Sequence, residues 1–242
     1  MSWYFRPYFI VNYLLCSIYF IFKYCSNNIE NPRENHVIMS FLTIILLRFF
    51  KYFTSAQMFV YDTLFYIKLI NFFLFFFVEY KYAIWYAVIL IISYILIEIP
   101  RYNGKTNILP INTQHEFNSL ILNNIKKNTY SFVVFHSHLS SKCIFTEEIW
   151  ASMSLKYTHE RLKFYSVDID NCNEICLSQN INTKGSYIEI PILILYKNGS
   201  EEKRFPMVDK NGKTYQALKY SKKGLISFFD LETIHSEVLK SK

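Results

Sequence analysis

Cysteine, glycine and proline are all scarce in this chain. Five cysteines in 242 residues are too few for a secreted scaffold held by disulfides. Only 5 glycines and 6 prolines, together with a hydrophobic fraction of 52%, exclude a disordered chain. Charged residues make up 19%, below the roughly 25% of an average soluble protein. The scarcity of charge is therefore the first feature to explain.

The missing charge is confined to the first hundred residues. Residues 1–100 carry 12 charged side chains and 29 of the 46 aromatic ones, whereas residues 101–242 carry 33 and 17. The front of the chain thus has the composition of a membrane region, and the back that of an ordinary globular domain. The net charge of +7 is spread without a long basic run. We therefore expect no nucleic-acid partner, since the positive charge goes equally well with an anionic membrane surface.

Four apolar runs indicate how the front is organised: Tyr8–Phe22, Val37–Phe50, Met58–Val78 and Ala83–Ile99. A helix that spans a bilayer needs roughly 20 apolar residues, so the third and fourth runs qualify by length and the first two need their flanks. We predict a membrane region over residues 1–100 with up to four helices. Residues 1–25 could instead be a cleaved signal sequence, although Lys23–Ser26 makes a poor cleavage site.

Two charged residues lie inside the third run. Asp62 and Lys68 could form an intramembrane polar pair, since charges within a membrane are often functional. Alternatively, Asp62 lies near the interface and Lys68 faces another helix, and we favour this interpretation because no second polar cluster is evident.

The lysine and arginine distribution gives an orientation for four spans. The N-terminus, the second loop and the C-terminal domain then share one side, which holds five basic residues against three on the other side. Positive charge favours the cytosol. We therefore expect a multi-pass protein whose large domain is cytosolic.

The back of the chain alternates between β and α patterns. Residues 101–129 read as a polar connector with a helix over Glu116–Lys127. Then follow strands, helices and an Asn198-Gly199 hairpin turn in the order β-α-β-α-β-β-α; the predicted elements are Ser131–Ser137, Ile144–His159, Leu162–Asp170, Asn171–Asn180, Ile192–Tyr196, Glu202–Pro206 and Lys222–Leu239. This order predicts an α/β fold, a mixed sheet with helices on both faces.

Several marks in this segment resemble the thioredoxin family. They are the run Phe132–Ser137 leading into Ser140-Ser141-Lys142-Cys143, the run Phe164–Asp170, and Ile190-Pro191 before Ile192–Tyr196. The resemblance implies a thioredoxin-like domain over residues 130–230, followed by the end of a terminal helix and a basic tail over 231–242. It also implies a cis peptide bond before Pro191, facing the active site.

The chain is closer still to a membrane-anchored branch of that family, in which Ser-x-x-Cys replaces Cys-x-x-Cys. The similarity extends to Ser154–Tyr157, to Val208–Gly212 and to Arg6-Pro7-Tyr8 in the first apolar run. It implies an α-helical transmembrane region before the thioredoxin-like mixed sheet.

The same resemblance places Ser140 where thioredoxins carry the nucleophilic cysteine. A serine hydroxyl does not take part in thiol–disulfide exchange, so the first step of that chemistry is missing. Cys143 occupies the resolving position. Leu139 stands in place of the usual tryptophan, and Val134 in place of a buried carboxylate that takes part in proton transfer. A conventional disulfide reductase or isomerase is therefore not expected.

Cys143 keeps chemistry of its own. Lys142 and His138 are close in sequence, and the start of a helix favours a thiolate. A single redox thiol at Cys143 could be glutathionylated, oxidised or joined to another chain, and the alternative is a buried, inert cysteine. With Cys143 and Ser140, we expect Ser141, Lys142, His138, Ile190 and Pro191 to line a binding site for a peptide or protein.

We expect no cofactor and no metal. His136, His138 and Cys143 suggest zinc, but a zinc site needs three or four ligands that converge, and a surface histidine pair is the simpler interpretation. Cys172 and Cys176 are four residues apart on a predicted helix, which is a poor geometry for a disulfide. We therefore interpret them as structural thiols. Cysteines without evident partners favour a reducing compartment.

The resemblance thus implies a thioredoxin-like protein of the endoplasmic-reticulum membrane, extending to membranes in contact with mitochondria. Without a dithiol site it would act as a redox-responsive regulator or binding module for membrane and protein-folding partners, and could form a homodimer. The alternatives are a disulfide oxidoreductase that works through Cys143 alone, and an inert structural membrane protein. Glycosylation of the Asn198 sequon would contradict the cytosolic orientation.

Overall fold

The structure, a computed structural model, describes residues 5–26, 33–52, 56–123, 128–181, 190–208, 214–215 and 220–240. The chain divides into two compact units, Met1–Pro100 and Arg101–Lys242. The boundary coincides with the change in composition along the sequence.

The first unit is helical. Its helices are α1 (Pro7–Cys25), α2 (Glu34–Tyr52), α3 (Ala56–Val78) and α4 (Tyr80–Leu96). Two of them, α1 and the Gln57–Val78 portion of α3, are long and apolar enough to cross a membrane. The sequence also predicted a span over Ala83–Ile99, but α4 has only 17 residues because the chain turns extended at Ile97. By length, the first and third runs are the candidate spans, rather than the third and fourth.

Polar side chains join the helices of this unit. The Lys68 ammonium of α3 donates a hydrogen bond of 2.7 Å to the Asn12 side-chain oxygen of α1 and lies 5.0 Å from the centre of the Tyr94 ring of α4. The Asn71 amide of α3 and the Tyr86 hydroxyl of α4 both donate to the Leu15 carbonyl of α1. Lys68 therefore faces other helices, as the favoured interpretation predicts.

A five-stranded sheet forms the centre of the second unit. The strands are β1 (Ile108–Ile111), β2 (Tyr130–His136), β3 (Leu162–Asp168), β4 (Ile192–Lys197) and β5 (Ser200–Phe205), in the spatial order β1-β3-β2-β4-β5. β1, β3 and β2 are parallel, whereas β4 and β5 are antiparallel to their neighbours. This is the thioredoxin-like mixed sheet that the sequence predicts. A separate two-stranded sheet pairs β6 (Met207–Val208) with β7 (Thr214–Tyr215).

Two apolar cores cover the two faces of the sheet. Side chains alternate between faces along β2, so Phe132 and Val134 enter one core while Val133 and Phe135 enter the other. The first core holds α6 (Ser141–Tyr157), α8 (Lys222–Phe228) and α9 (Leu231–Lys240). The second holds the short helices α5 (Gln114–Phe117) and α7 (Asn173–Ser178).

The Asn198-Gly199 hairpin turn is confirmed. Both residues have positive φ, 51° and 85°, as a tight hairpin turn with the twist of its strands requires. A Cβ atom on Gly199 would lie 2.3 Å from the Leu122 carbonyl oxygen. Glycine is therefore required there both by backbone conformation and by space.

Two boundaries predicted from sequence are wrong. The segment 101–129 is not only a connector, because it contributes β1 to the sheet, and its helix is α5 extended by a π-helical turn over Asn118–Leu122. Residues 124–127 of the predicted helix lie outside the described part. One terminal helix was predicted over Lys222–Leu239, but the structure has two helices there, α8 and α9. The segment from residue 231 onward is therefore a separate helix and not the end of a longer one. The chain turns at Asp230, whose φ is 51° and whose carboxylate binds Lys203.

Candidate functional site

Ser140 caps the helix that follows β2. It has extended backbone angles, and its hydroxyl accepts a hydrogen bond of 3.4 Å from the Cys143 backbone N–H. Helix α6 then begins at Ser141. Serine is among the best N-cap residues, because its oxygen satisfies a backbone donor that the helix leaves unpaired. Ser140 therefore has a structural role of its own as the cap of α6.

Cys143 is the third residue of α6 and is buried, with 1% of its surface exposed. Burial raises the pKa of its thiol. Hydrogen bonds from the Ser137 backbone and the Ser140 side chain, and the nearby Lys142 charge, oppose this effect without overcoming it. The thiolate is the reactive form, so the environment of Cys143 disfavours both its formation and its access to a substrate.

The expected binding residues around Cys143 are connected through Tyr220. The Lys142 ammonium lies 4.7 Å from the centre of the Tyr220 ring, and the Tyr220 hydroxyl donates a hydrogen bond of 2.6 Å to the Pro191 carbonyl. The Ile190–Pro191 peptide bond is cis. Tyr220 was not among the residues predicted from sequence, because it is separated from the Cys143 motif by more than seventy residues and belongs to no motif.

His138 precedes the start of α6 and contacts residues other than Tyr220. Its Nε2 atom is 3.7 Å from the Asp168 carboxylate, and its Nδ1 atom is 3.4 Å from the Arg101 guanidinium. The rings of His136 and His138 are 4.9 Å apart, edge to face. Burial, followed by the neighbouring His138, lowers the pKa of His136. His136 therefore favours its neutral form.

The resemblance to thioredoxins also draws attention to Leu139, in place of a tryptophan, and to Val134, in place of a buried carboxylate. Leu139 is 87% exposed. Val134 is buried and pairs with Ser166 of β3 and Leu193 of β4. The place of the carboxylate thus holds an apolar side chain that does not titrate.

Two cavities border residues of the predicted site. Beside Pro191, α6, β4 and Tyr220 surround a space of about 10 Å³, about the size of one water molecule. A cavity of about 330 Å³ lies on the His138 side. Its lining includes three residues that sequence reasoning missed: Arg101, Glu147 and Trp150.

The other two cysteines of this unit lie on the opposite face of the sheet. Cys172 and Cys176 are buried in the core that holds α5 and α7, whereas Cys143 belongs to the core of α6. Burial raises the pKa of Cys176 to about 11. Within the described residues all three thiols are free, and His, Cys, Asp and Glu form no group of three or more that could bind a metal ion.

Comparison with known proteins gives matches along nearly the whole chain, although no family model matches. Thioredoxin-related transmembrane protein 2-A of Danio rerio is 24% identical over 99% of this chain and 82% of its own length. The Drosophila melanogaster homologue of thioredoxin-related transmembrane protein 2 is 22% identical over 97% and 91%, and the Xenopus laevis protein 25% identical over 99% and 87%.

The chain resembles thioredoxin-related transmembrane protein 2. The similarity to that protein covers both units, so it joins the apolar helices and the thioredoxin-like sheet in one polypeptide. Together with two candidate spans, it supports a thioredoxin-like protein associated with a membrane.

Solved thioredoxin structures also match the second unit. Thioredoxin NaTrxh from Nicotiana alata is 16% identical, covering 53% of this chain and 94% of its own, with a TM-score of 0.41. Plasmodium falciparum thioredoxin is 22% identical, covering 52% and 98%, with a TM-score of 0.38. The fold assignment itself follows from the order and direction of the strands in the sheet.

Proposed function

We propose that this thioredoxin-like membrane protein works without a dithiol site, as a redox-responsive regulator or binding module for membrane and protein-folding partners. The sheet and helix α6 present a thioredoxin-like surface, but the Cys143 thiol at the centre of that surface is shielded from solvent. Binding rather than disulfide turnover is the activity that such a site supports.

One observation carries the proposal, namely the pairing of Ser140 with Cys143. A thioredoxin needs an exposed, low-pKa cysteine at the helix start and a second cysteine to resolve the mixed disulfide. Here the first position holds a helix-capping hydroxyl, and the second holds a thiol that is 1% exposed with a raised pKa. Cys172 and Cys176 are separated from Cys143 by the sheet, so neither is placed to resolve it.

The proposed binding surface surrounds this helix start. It consists of Ser141 and Lys142 at the start of α6, the exposed Leu139 and His138 before it, and the Ile190–Pro191 segment. Leu139, with 87% of its surface exposed, supplies the apolar contact that we assign to a partner. We propose a protein or peptide partner, or a second copy of the chain, at this surface.

We place the protein in the endoplasmic-reticulum membrane and its contacts with mitochondria, as a multi-pass protein whose second unit is cytosolic. The resemblance to thioredoxin-related transmembrane protein 2 and the excess of basic residues on one side support this placement. Three buried free thiols in the second unit suit a reducing compartment.

Insulin reduction by the full-length protein in detergent tests the lack of a dithiol site. We expect turnover no faster than that of the Cys143→Ser variant, because the single thiol is buried. The matched gain-of-function variant is Ser140→Cys, which restores a Cys-x-x-Cys motif at the start of α6, and we expect measurable dithiol-dependent turnover from it. Cys143-dependent turnover by the unmodified chain would instead support the single-thiol oxidoreductase.

Pull-down with the Leu139→Ser and Lys142→Ala variants tests the binding surface. We expect each variant to lose partners that the unmodified chain retains, and the Leu155→Ser variant to retain them, since Leu155 is an exposed leucine on α6 more than three turns away. An identical set of partners for all three variants would favour the inert structural protein.

A further inference from the structure

The cavity on the His138 side, which we name the α6 cavity, lies entirely within the second unit. It has a volume of about 330 Å³, within the range of about 300–1,000 Å³ that is typical of small-molecule sites. Three sides contribute to it: the segment Arg101–Ile108, strands β2 and β3, and helix α6. It is separate from the Ser140–Cys143 pair, neither member of which lines it.

Glu147 brings a carboxylate to this cavity, and within the described residues it forms no direct ion pair. Its carboxylate accepts one hydrogen bond of 3.2 Å from the Tyr102 backbone N–H. Among the described residues no lysine, arginine or histidine lies within ion-pair distance of it. Burial raises the pKa of Glu147, and the Tyr102 N–H and the charges of Arg101 and His138 oppose this effect without overcoming it.

Arg101 brings the opposite charge to the same cavity. Its guanidinium contacts the His138 ring at 3.4 Å, and no carboxylate of the described part pairs with it. Arg101 and Glu147 thus line one space without forming an ion pair with each other. A guanidinium and a carboxylate that share a cavity but remain apart leave room for a ligand that carries both charges.

Trp150 adds a neutral donor, its indole N–H. The residue is 4% exposed and lines the α6 cavity, and its indole N–H has no hydrogen-bond partner in the described part of the chain. Buried polar groups without partners are uncommon in native proteins. The walls beside it are apolar, formed by Ile108, Val134 and Ala151.

We propose that the α6 cavity binds a small zwitterion, a free amino acid with an apolar side chain. Glu147 takes the ammonium group, Arg101 takes the carboxylate, and the indole N–H of Trp150 donates a further hydrogen bond to the ligand. The apolar walls receive the side chain. The two charged groups, which form no ion pair within the described residues, and the indole N–H then each have a ligand group of matching chemistry.

Isothermal titration of the full-length protein in detergent with leucine tests the proposal. Two analogues each lack one charge: leucinamide has no carboxylate and N-acetylleucine has no ammonium group. We expect leucine to bind and each analogue to bind at least tenfold more weakly, since each leaves one charged group of the cavity unpaired. Glycine, without an apolar side chain, should also bind more weakly.

Matched variants locate the site. Glu147→Gln and Arg101→Gln should each weaken leucine binding at least tenfold, while Glu148→Gln, an exposed neighbour on the same helix, should leave it within twofold. Trp150→Phe removes only the indole N–H donor and should weaken binding about threefold. Circular dichroism shows whether each variant is folded, and the analogue series on the unmodified chain decides the question if one is not.

Three results would overturn the proposal. They are no heat of binding at roughly 10 mM leucine, equal affinity for leucine and its singly charged analogues, and equal effects of Glu147→Gln and Glu148→Gln. The insulin assay is independent of all of these, because it depends on Ser140 and Cys143.

Discussion

Position 140 has a hydroxyl oxygen where the resemblance to thioredoxins leads one to expect a cysteine sulfur. The start of α6 is therefore suited to capping the helix and not to thiol–disulfide exchange. The Ser140 hydroxyl accepts the Cys143 backbone N–H and so contributes to helix stability, roughly 0.5–2 kcal/mol for a typical cap. The thiol three residues later is left buried and without an exposed partner in the motif. The sequence shows a serine at position 140 and a cysteine at position 143. How far Cys143 is exposed depends on packing, so it had to be observed in the structure.

Thiol labelling of the folded protein should therefore discriminate strongly between cysteines. We expect Cys25, which is exposed at the end of α1, to react with a maleimide at least tenfold faster than Cys143, which is buried with a raised pKa. Mass spectrometry of labelled peptides measures both rates. The Cys25→Ser variant should lose the fast phase, whereas fast labelling of Cys143 in that variant would mean that α6 opens readily.

The same contrast applies to oxidation. If mild peroxide produces a disulfide-linked dimer on non-reducing gels, we expect Cys25→Ser to abolish it and Cys143→Ser to retain it. The opposite pattern would show that Cys143 is the responsive thiol despite its burial.

His136 should make stability depend on pH. Burial lowers its pKa from 6.5 in the folded state, so the unfolded chain binds a proton first as the pH falls. The contribution of neutral His136 is therefore present above about pH 6.5 and is lost as the pH falls through the lower, folded-state pKa. Melting temperatures between pH 8 and pH 5 measure it.

A His136→Gln variant provides the control for this pH dependence. It should melt at a temperature that depends less on pH in that interval than the unmodified chain does. Equal slopes for the two proteins would mean that another group is responsible.

At the level of elements, most of the sheet could be predicted from sequence. Runs such as Phe132–Ser137 and Ile192–Tyr196 are long, β-branched or aromatic, and bounded by turn residues, so their type was evident. β1 was not evident, because it has four residues including Pro110 and depends on pairing with β3. The break at Asp230 was missed since the apolar pattern continues across it.

The same distinction separates the site residues that were predicted from those that were not. Ser140, Cys143 and Pro191 belong to a local motif with a known order. Tyr220, Arg101 and Glu147 reach their partners through tertiary contacts. No local pattern marks such residues, since a charge on a helix usually indicates a solvated face.

Replacing Gly199 should test the hairpin directly. Gly199→Ala places a Cβ atom 2.3 Å from the Leu122 carbonyl oxygen and forces alanine to a φ of 85°. We expect a loss of about 1–3 kcal/mol in the free energy of unfolding, measured by chemical denaturation. Ser200→Ala on the exposed neighbour should change it by less than about 0.5 kcal/mol, and equal effects would contradict the steric argument.

For the whole molecule, the second unit should be separable only at its observed boundary. A fragment of residues 101–242 keeps β1 and α5, whose Ile111 and Phe117 are buried in the second core. A fragment of residues 130–242 loses them and should unfold at a temperature lower by at least about 5 °C, or fail to fold. Thermal melts of the two fragments provide the comparison, and equal stabilities would restore the segment 101–129 to the role of a connector.

Membrane orientation is tested in cells. The protein should remain in the pellet after alkaline carbonate extraction, and Asn198, although exposed at a hairpin turn, should stay unglycosylated if the second unit is cytosolic. An Asn198→Gln variant identifies any shift in mobility as glycosylation. A shift that this variant removes would place the unit in the lumen.

The two outer strands of the sheet bear on how the protein avoids aggregation. An edge strand offers unpaired N–H and C=O groups to other chains. β1 carries Pro110, which has no N–H to donate, and β5 carries four successive charges, Glu201, Glu202, Lys203 and Arg204. A protein concentrated in the two dimensions of a membrane meets its copies often, and these edges discourage its sheets from joining into extended β-structure.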